Sequence, residues 1–282
     1  MKKKKICVVI TTRGNYGKTK SIMKAIRQDP SMELQLIVGG SAVLPKYGDL
    51  RKVIESEGYP IDKTVTFLVE GENLTTMTQS AGLALMEMGR IYEDLKPDMV
   101  LVIADRFEAL AIAMGAVYMN IPIAHLEGGE ISGSIDESIR HAITKLSHIH
   151  FPATQTAADR IIRMGEDPAS VFVTGTPSLD VLKEMDLTNT DILFEAQRTM
   201  GVGSDIDFNG EYLIVLQHPV VTEYVDNLGN IRETIAAVDE LKYPTVWVWP
   251  NMDAGSDGIS KGLRVYREKE RPRFIHFFKS LP

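Results

Sequence analysis

Short apolar runs alternate with longer amphipathic stretches along the first 180 or so residues of the chain. The short runs are rich in β-branched residues and predict strands at residues 6–11, 33–38, 63–69, 99–103, 121–124, 149–151 and 171–173. The longer stretches have apolar residues at three- and four-residue steps and predict helices at residues 18–28, 76–95, 108–118, 138–146 and 155–164. Strands that alternate with helices indicate a parallel sheet built from right-handed βαβ units.

A second series of the same kind follows a polar stretch, residues 186–210, that is interrupted by glycines. It predicts strands at residues 212–216 and 245–249 and from residue 274 onward, with helices at residues 231–241 and 258–268. We therefore predict an α/β protein with two Rossmann-like domains, residues 1–185 and 186–282, whose strand ends face a common cleft.

Composition narrows the class of protein. The chain has 282 residues, of which 44% are hydrophobic and 24% are charged, which is typical of a folded protein. Its net charge of −7 argues against nucleic acid as the main partner. Cys7 is the only cysteine, so an internal disulfide is impossible, and the apolar run around it is too short for a signal peptide or a membrane span. We expect a soluble cytoplasmic protein that acts on a small molecule and does not bind a membrane.

Charged residues follow three of the predicted elements in the first half of the chain. They lie at Asp105-Arg106, at Glu127-Gly128-Gly129-Glu130, and at Asp136-Glu137 with Arg140-His141. Taken singly, each group has a structural explanation: an aspartate that caps a helix, or an acidic first helical turn with a solvated face. Together, at successive strand ends, they predict the site of acid–base chemistry, since open α/β sheets place ligands there.

Other candidate sites give weaker or negative signals. The loop from Thr11 to Lys18 contains Arg13 and two glycines and predicts either an anion site or an ordinary turn, but its spacing does not indicate ATP or NAD. His148 and His150 lie on one face of a strand without the carboxylates or cysteines of a zinc site, so we predict no metal. Ser178 and Cys7 lack the context of a hydrolase nucleophile.

Polar residues also follow the strands of the second half. His218 precedes a proline after one strand, and Asn251, Asp253 and Ser256 follow the next. At these positions they can reach a ligand in the cleft.

Several motifs occur along almost the whole chain in a characteristic order. They are Asp105–Leu110, His125–Gly133, Asp136–His148, Gly175-Thr176-Pro177, His218-Pro219 and Pro250–Ser256. This set closely resembles the hydrolysing UDP-N-acetylglucosamine 2-epimerases of sialic-acid-type (nonulosonic acid) pathways, and the segment from Glu127 to Lys145 is the most specific part.

The resemblance implies the two-domain architecture of nucleotide-sugar glycosyltransferases, known as GT-B, with the active site in the interdomain cleft. It implies that residues 1–185 form the catalytic domain and residues 186–282 the nucleotide-binding domain. It implies that UDP leaves C1 as the C2 proton is removed, giving a glycal, and that water then adds to release free N-acetylmannosamine. It also implies a homo-oligomer, and the reaction requires neither a metal nor another cofactor.

The resemblance further implies roles for individual residues. Asp105, Glu127 and Asp136 match the catalytic carboxylates of the family, without indicating which one removes the proton and which one returns it. Arg13, Arg106, His218 and Asn251 match positions that hold the nucleotide and its phosphates. We expect a supporting role for Glu130, Glu137, His141 and Asp253.

The chain departs from the family pattern in two places. Asn15 stands where the family usually has an acidic residue, which leaves the exact sugar and nucleotide open. The sequence also ends at Pro282, before the glycine- and serine-rich phosphate loop and the closing helices of the family, so we expect an incomplete second domain. The alternatives are therefore a non-hydrolysing 2-epimerase, a GT-B glycosyltransferase, or a nucleotide-sugar-binding remnant without turnover.

Overall fold

The computed structural model describes residues 2–103 and 105–279, and the chain divides into two compact units. The first unit comprises Met1–Glu70 and Thr75–Met185, and the second comprises Gly71–Leu74 and Asp186–Pro282. The last three residues of the predicted second domain, 280–282, lie outside the described residues. The assignment of catalysis to one domain and nucleotide binding to the other stays a prediction.

The first unit has a parallel sheet with helices between its strands. In the described part of the chain its strands are β1 (Lys4–Ile10), β2 (Met32–Gly39), β3 (Lys63–Val65), β4 (Met99–Ile103), β5 (Ile123–Leu126) and β6 (Ile149–Phe151). Its helices are α1 (Arg13–Gln28), α2 (Arg51–Ser56), α3 (Leu74–Leu95), α4 (Phe107–Tyr118), α5 (Ile135–Leu146), α6 (Gln155–Arg163) and α7 (Ser178–Glu184). The strand order β3-β2-β1-β4-β5-β6 is that of a Rossmann domain, so the predicted α/β class is confirmed.

Apolar residues cover both faces of this sheet. On β1, Cys7 and Val9 face one hydrophobic core, while Val8 and Ile10 face the other. This burial on both faces explains why the strands appear in the sequence as continuous apolar runs rather than as alternating ones. It also means that polar side chains can reach solvent only where the strands end.

The second unit has a smaller mixed sheet. Its described helices are α8 (Asp191–Met200), α9 (Asn227–Leu241) and α10 (Ser256–Glu270), and its described strands are β7 (Gly201–Gly203), β8 (Leu213–Leu216), β9 (Thr245–Val248) and β10 (Ile275–Phe278). The order is β7-β10-β9-β8, with β8, β9 and β10 parallel and β7 antiparallel at the edge. Trp247 of β9 packs on one face with residues of α9 and α10, and Val246 packs on the other face with Ala196 of α8.

The structure corrects two predicted segments. Residues 171–173 form only an isolated bridge, between Val171 and His150, because Phe172 and Val173 remain about half exposed and bury no face. The polar stretch 186–210, for which no helix or strand was predicted, contains α8 and β7. No described helix has the length and apolar character needed to cross a membrane.

Several helices also begin earlier than their periodicity predicts. α1 begins at Arg13 rather than residue 18, and α5 begins at Ile135 rather than residue 138. In both cases a hydroxyl caps the helix: Thr12 accepts a hydrogen bond from the backbone N–H of Asn15, and Ser134 accepts one from Asp136. The earlier starts place Arg13 and Asp136 within the first helical turns.

Candidate active site

The central strands β1 and β4 lead to opposite sides of the first sheet. The chain passes from β1 to β2 on one side and from β4 to β5 on the other. The crevice beyond the carboxyl ends at such a point is the usual ligand site of an open α/β sheet. A small cavity lies there, and its polar lining comes from Thr11, Asn15 and Arg106.

Asp105 lies two residues after β4 and forms an ion pair with Arg140 of α5. The side chains are largely shielded from water, with 21% of Asp105 and 9% of Arg140 exposed. Arg140 also donates a hydrogen bond of 2.7 Å from Nη1 to the carbonyl oxygen of Glu130. The alternative explanation of Arg140 as part of a solvated helix face is therefore excluded, because this guanidinium contacts residues that follow two different strands.

Arg106 is the N-cap residue of α4, and its side chain makes no capping hydrogen bond. Its Nε donates to Oε1 of Glu108 at 2.8 Å, and the Glu108 side chain is only 3% exposed. This buried carboxylate orients Arg106, which lines the cavity between β1 and β4.

Glu127 directly follows β5, and both of its carboxylate oxygens have partners. Lys18 of α1 lies 2.5 Å from Oε2, and the hydroxyl of Thr176 donates to Oε1 at 2.6 Å. The backbone of Glu127 has a φ of +57°, a strained conformation for a residue with a side chain, and its N–H donates to the carbonyl of Phe151. The carboxylate is thus fixed by its backbone, by a cation and by a hydroxyl.

The two glycines after Glu127 allow a close approach of neighbouring groups. A Cβ on Gly128 would lie 2.8 Å from Nδ1 of the buried His125, and one on Gly129 would lie 2.4 Å from the carbonyl oxygen of Ala157. Gly129 also has a φ of +81°. Glycine is required at both positions, which explains the Glu-Gly-Gly-Glu sequence.

Asp136 and Glu137 occupy the first turn of α5, where the helix dipole favours negative charge. Glu137 accepts hydrogen bonds from the backbone N–H groups of Gly133 and Ser132 at 2.7 and 2.8 Å, and these lower the pKa of its carboxyl. Asp136 lies one helical turn before Arg140, so both side chains point to the same side of α5. Arg140, which pairs with Asp105, therefore projects from the same side of α5 as Asp136.

The remaining predicted groups of the first unit lie around these carboxylates. Glu130 accepts a hydrogen bond from Thr154 at 3.2 Å, and Nε2 of His141 is 3.9 Å from Oε1 of Glu137. Arg13 begins α1 with its Nη2 3.0 Å from where a Cβ on Gly48 would lie, so that glycine leaves room for the guanidinium. Asn15 uses its Oδ1 to accept hydrogen bonds from the backbone N–H and the hydroxyl of Thr11.

A set of polar residues lies beyond the ends of β8 and β9 in the second unit. Nδ1 of His218 accepts a hydrogen bond of 3.1 Å from the backbone N–H of Asn251. The amide of Asn251 in turn donates to Asp253, and the hydroxyl of Ser256 donates to the carbonyl oxygen of Asp253 at 2.7 Å. These residues lie at the N-terminus of α10, where the helix dipole favours an anion.

No group of three or more His, Cys, Asp or Glu side chains in residues 2–103 and 105–279 could hold a metal ion. The structure places Asp105, Glu127 and Asp136 with Arg13 and Arg106 at one edge of the first sheet. It places His218, Asn251 and Asp253 together in the second unit.

Sequence reasoning missed three contributors: Lys18, Thr176 and the buried role of Arg140. Thr176 was visible in the motif Gly175-Thr176-Pro177, but its partner Glu127 is 49 residues away. Lys18 is 109 residues from the same partner. Helical periodicity could not reveal either contact, because it reports local structure only.

Comparison with known proteins identifies the family of the chain. The family model described as UDP-N-acetylglucosamine 2-epimerase matches residues 24–282. The chain belongs to this family. It is 32% identical to the UDP-N,N'-diacetylbacillosamine 2-epimerase (hydrolyzing) of Legionella pneumophila, over 96% of this chain and 73% of that protein. It is also 32% identical to the UDP-N-acetylglucosamine 2-epimerase of Neisseria meningitidis, over 97% of this chain and 69% of that protein.

Solved structures of 2-epimerases share the fold of this family member. The Methanocaldococcus jannaschii UDP-GlcNAc 2-epimerase, in complex with UDP-GlcNAc and UDP, has a TM-score of 0.78 at 18% identity, covering 98% of this chain and 74% of that one. The Neisseria meningitidis enzyme bound to UDP-GlcNAc has a TM-score of 0.75 at 17% identity, covering 98% and 72%. The expected family is confirmed.

Proposed function

We propose that this 2-epimerase family member is a hydrolysing enzyme. It converts UDP-N-acetylglucosamine, or a related UDP-2-acetamido sugar, into UDP and a free sugar of the N-acetylmannosamine type. The observation that carries the proposal is the grouping of Asp105, Glu127 and Asp136 around the ends of β4 and β5 and the start of α5. Its two relatives named as hydrolysing, from Legionella pneumophila and Campylobacter jejuni, support the same activity.

The first step is an elimination. A carboxylate takes the proton from C2 while the bond between C1 and the phosphate oxygen breaks, so that UDP leaves and a C1–C2 double bond forms. Because the C2 proton is not acidic in the ground state, the step needs positive charge to develop at C1, and neighbouring carboxylates stabilise that charge. Asp105, Glu127 and Asp136 supply both the base and this electrostatic stabilisation.

The leaving diphosphate needs cations and hydrogen-bond donors. We assign Arg13, Arg106, His218 and Asn251 to this role. Arg106 suits it because Glu108 orients its guanidinium, and a guanidinium matches the geometry of a phosphate.

The second step is hydration of the glycal. A carboxylic acid returns a proton to C2 on the opposite face, and water adds at C1 to give the free sugar. The two faces require two differently placed groups, which a cluster of three carboxylates provides. Glu127 is fixed by Lys18 and Thr176, Asp105 pairs with Arg140, and Asp136 lies in the first turn of α5, so the cluster contains groups in distinct environments.

The exact sugar is a separate part of the proposal. The Legionella relative is named for UDP-N,N'-diacetylbacillosamine, the Campylobacter relative for GDP/UDP-N,N'-diacetylbacillosamine, and the Neisseria relative for UDP-N-acetylglucosamine. The first and the last are the substrates to compare. Parallel assays with these two substrates will rank them by kcat/KM. From the family resemblance we also propose a cytoplasmic homo-oligomer, and light scattering of the purified protein tests its oligomeric state.

The activity is tested by incubating the protein with UDP-N-acetylglucosamine in heavy water and following the products by NMR. The proposal predicts UDP and free N-acetylmannosamine that carries one deuterium at C2. A UDP-linked epimer would indicate a non-hydrolysing enzyme, and transfer of the sugar to an acceptor would indicate a glycosyltransferase. Binding of UDP without product or deuterium uptake would identify a nucleotide-sugar-binding remnant and refute the proposed activity.

A further inference from the structure

We propose that Thr176 is a positioning residue that acts on the reaction through Glu127, an inference that rests on the proposed function. Its hydroxyl donates a hydrogen bond of 2.6 Å to Oε1 of Glu127. Lys18 occupies the other carboxylate oxygen at 2.5 Å. Together they form a fork in which each oxygen of Glu127 has one partner.

The fork removes the rotational freedom of the Glu127 side chain. A carboxylate held by Lys18 alone could rotate around that contact and exchange its two oxygens. A second donor on the other oxygen fixes the plane of the carboxylate. The lone pairs that accept from Lys18 and Thr176 are then occupied, and only the others remain available to a substrate. Because only 14% of the Glu127 side chain is exposed, water competes weakly with these two partners.

The backbone supports the same interpretation. Glu127 has a φ of +57°, and the chain turns there immediately after β5. A strained backbone next to a fixed side chain is the usual sign of a group whose orientation matters. The three constraints lie on one residue of the predicted catalytic cluster, whereas Glu130, in the same loop, receives a single hydroxyl at 3.2 Å.

The position of Thr176 depends on α7, the short helix that follows it. None of the residues of α7 is buried, but the helix packs on α1, which carries Lys18. An ion pair of 2.9 Å between Lys24 of α1 and Glu184 of α7 joins the two helices further along. The helix that supplies the cation of the fork therefore also supports the segment that supplies the hydroxyl.

The test compares Thr176→Val with Thr176→Ser in the assay for UDP release. The valine variant keeps the shape of the side chain and removes the donor, so we expect kcat to fall roughly tenfold to a hundredfold, with KM changed less than about twofold. The serine variant keeps the hydroxyl and should retain at least about half of the wild-type kcat. Thr174→Val, two residues away on an exposed side chain, is the matched control and should leave kcat unchanged.

A second measurement does not depend on turnover. The side-chain carboxyl carbon of Glu127, assigned by loss of its NMR signal in Glu127→Gln, should shift in Thr176→Val and not in Thr174→Val. Wild-type kcat in Thr176→Val, a change in KM alone, failure of serine to restore activity, or an unchanged Glu127 signal would each overturn the proposal. If the wild-type protein itself gives no product, the proposed function fails while the NMR comparison still decides whether Thr176 positions Glu127.

Discussion

The polar side chains beyond the carboxyl ends of the strands make different kinds of contact in the two sheets. In the first unit, Asp105 pairs with Arg140 and Glu127 pairs with Lys18, which lie 35 and 109 residues away in the sequence. In the second unit, Asn251 and Asp253 bond to each other two residues apart, and a hydrogen bond from the backbone N–H of Asn251 to His218 spans 33 residues. The first group is therefore held by ion pairs between distant elements, whereas the second combines a local turn with a hydrogen bond from a backbone N–H.

We infer from this difference that the first group of residues acts in catalysis and the second in binding the nucleotide. Charges that act on a transition state work best when they are oriented in advance, because no reorganisation is then needed during the reaction. Groups that bind a nucleotide can instead reorient when it binds, at a small entropic cost. We therefore expect substitutions in the first group to lower kcat, and substitutions in the second to raise KM.

The largest effect is expected from Glu127→Gln. The amide cannot take or return a proton, so kcat should fall by about 10²- to 10⁴-fold. Glu130→Gln in the same loop is the matched control and should lower kcat less than about tenfold, because we expect only a supporting role for Glu130. Steady-state measurement of UDP release checks both, and an equal loss in the two variants would argue against a special role for Glu127.

Arg140→Met should have the next largest effect, on stability. It leaves the carboxylate of Asp105 and the carbonyl of Glu130 without their partner, and we expect the free energy of unfolding to fall by about 2–3 kcal/mol. Urea unfolding followed by circular dichroism measures this loss. Arg90→Met removes an arginine that is 80% exposed and serves as the control, with an expected change within about 0.5 kcal/mol. Similar values for the two variants would mean that the Arg140 ion pair does not stabilise the unit.

His218→Ala should have a smaller effect, on substrate binding. The histidine accepts a hydrogen bond from the Asn251 backbone, and its loss loosens the turn that we assign to the nucleotide. We expect KM for UDP-N-acetylglucosamine to rise about tenfold while kcat changes less than about threefold, which corresponds to roughly 1.4 kcal/mol of uniform binding. A large fall in kcat with unchanged KM would contradict the proposal that the residues of the second unit act in binding and those of the first unit in catalysis.

The smallest effect concerns pH. His150 of β6 is 1% exposed, and burial lowers the pKa of its imidazole, although Glu166 at 3.4 Å opposes this. The folded protein therefore resists protonation that the unfolded chain accepts near pH 6.5. The stability contributed by neutral His150 is fully present above that pH and is lost as the pH falls through and below it.

His150→Leu should remove this part of the acid sensitivity of the first unit. Urea midpoints of the wild type and the variant, measured between pH 7.5 and 5.5, test the expectation. If the midpoints of both proteins fall equally over this range, His150 does not cause the acid response.

The parallel sheet of the first unit could be predicted because its strands, buried on both faces, are continuous apolar runs in the sequence. The sequence also placed Asp105, Glu127 and Asp136 at strand and helix ends, since those positions follow from local periodicity. It could not predict the partners of these groups, because Arg140 looks like a solvated helix residue until the helix packs. Phe172 and Val173 have high β-propensity and led to a predicted strand. β-Propensity does not show whether a face of that strand will be buried.

The most direct test of the division between the two edges applies the same substitution to each. Asp105→Asn and Asp253→Asn each remove one carboxylate charge, and deuterium uptake at C2 is measured by NMR with saturating UDP-N-acetylglucosamine in heavy water. We predict that Asp105→Asn slows uptake at least about a hundredfold, while Asp253→Asn remains within about threefold of the wild type. Equal rates in the two variants, or a greater loss in Asp253→Asn, would contradict the account.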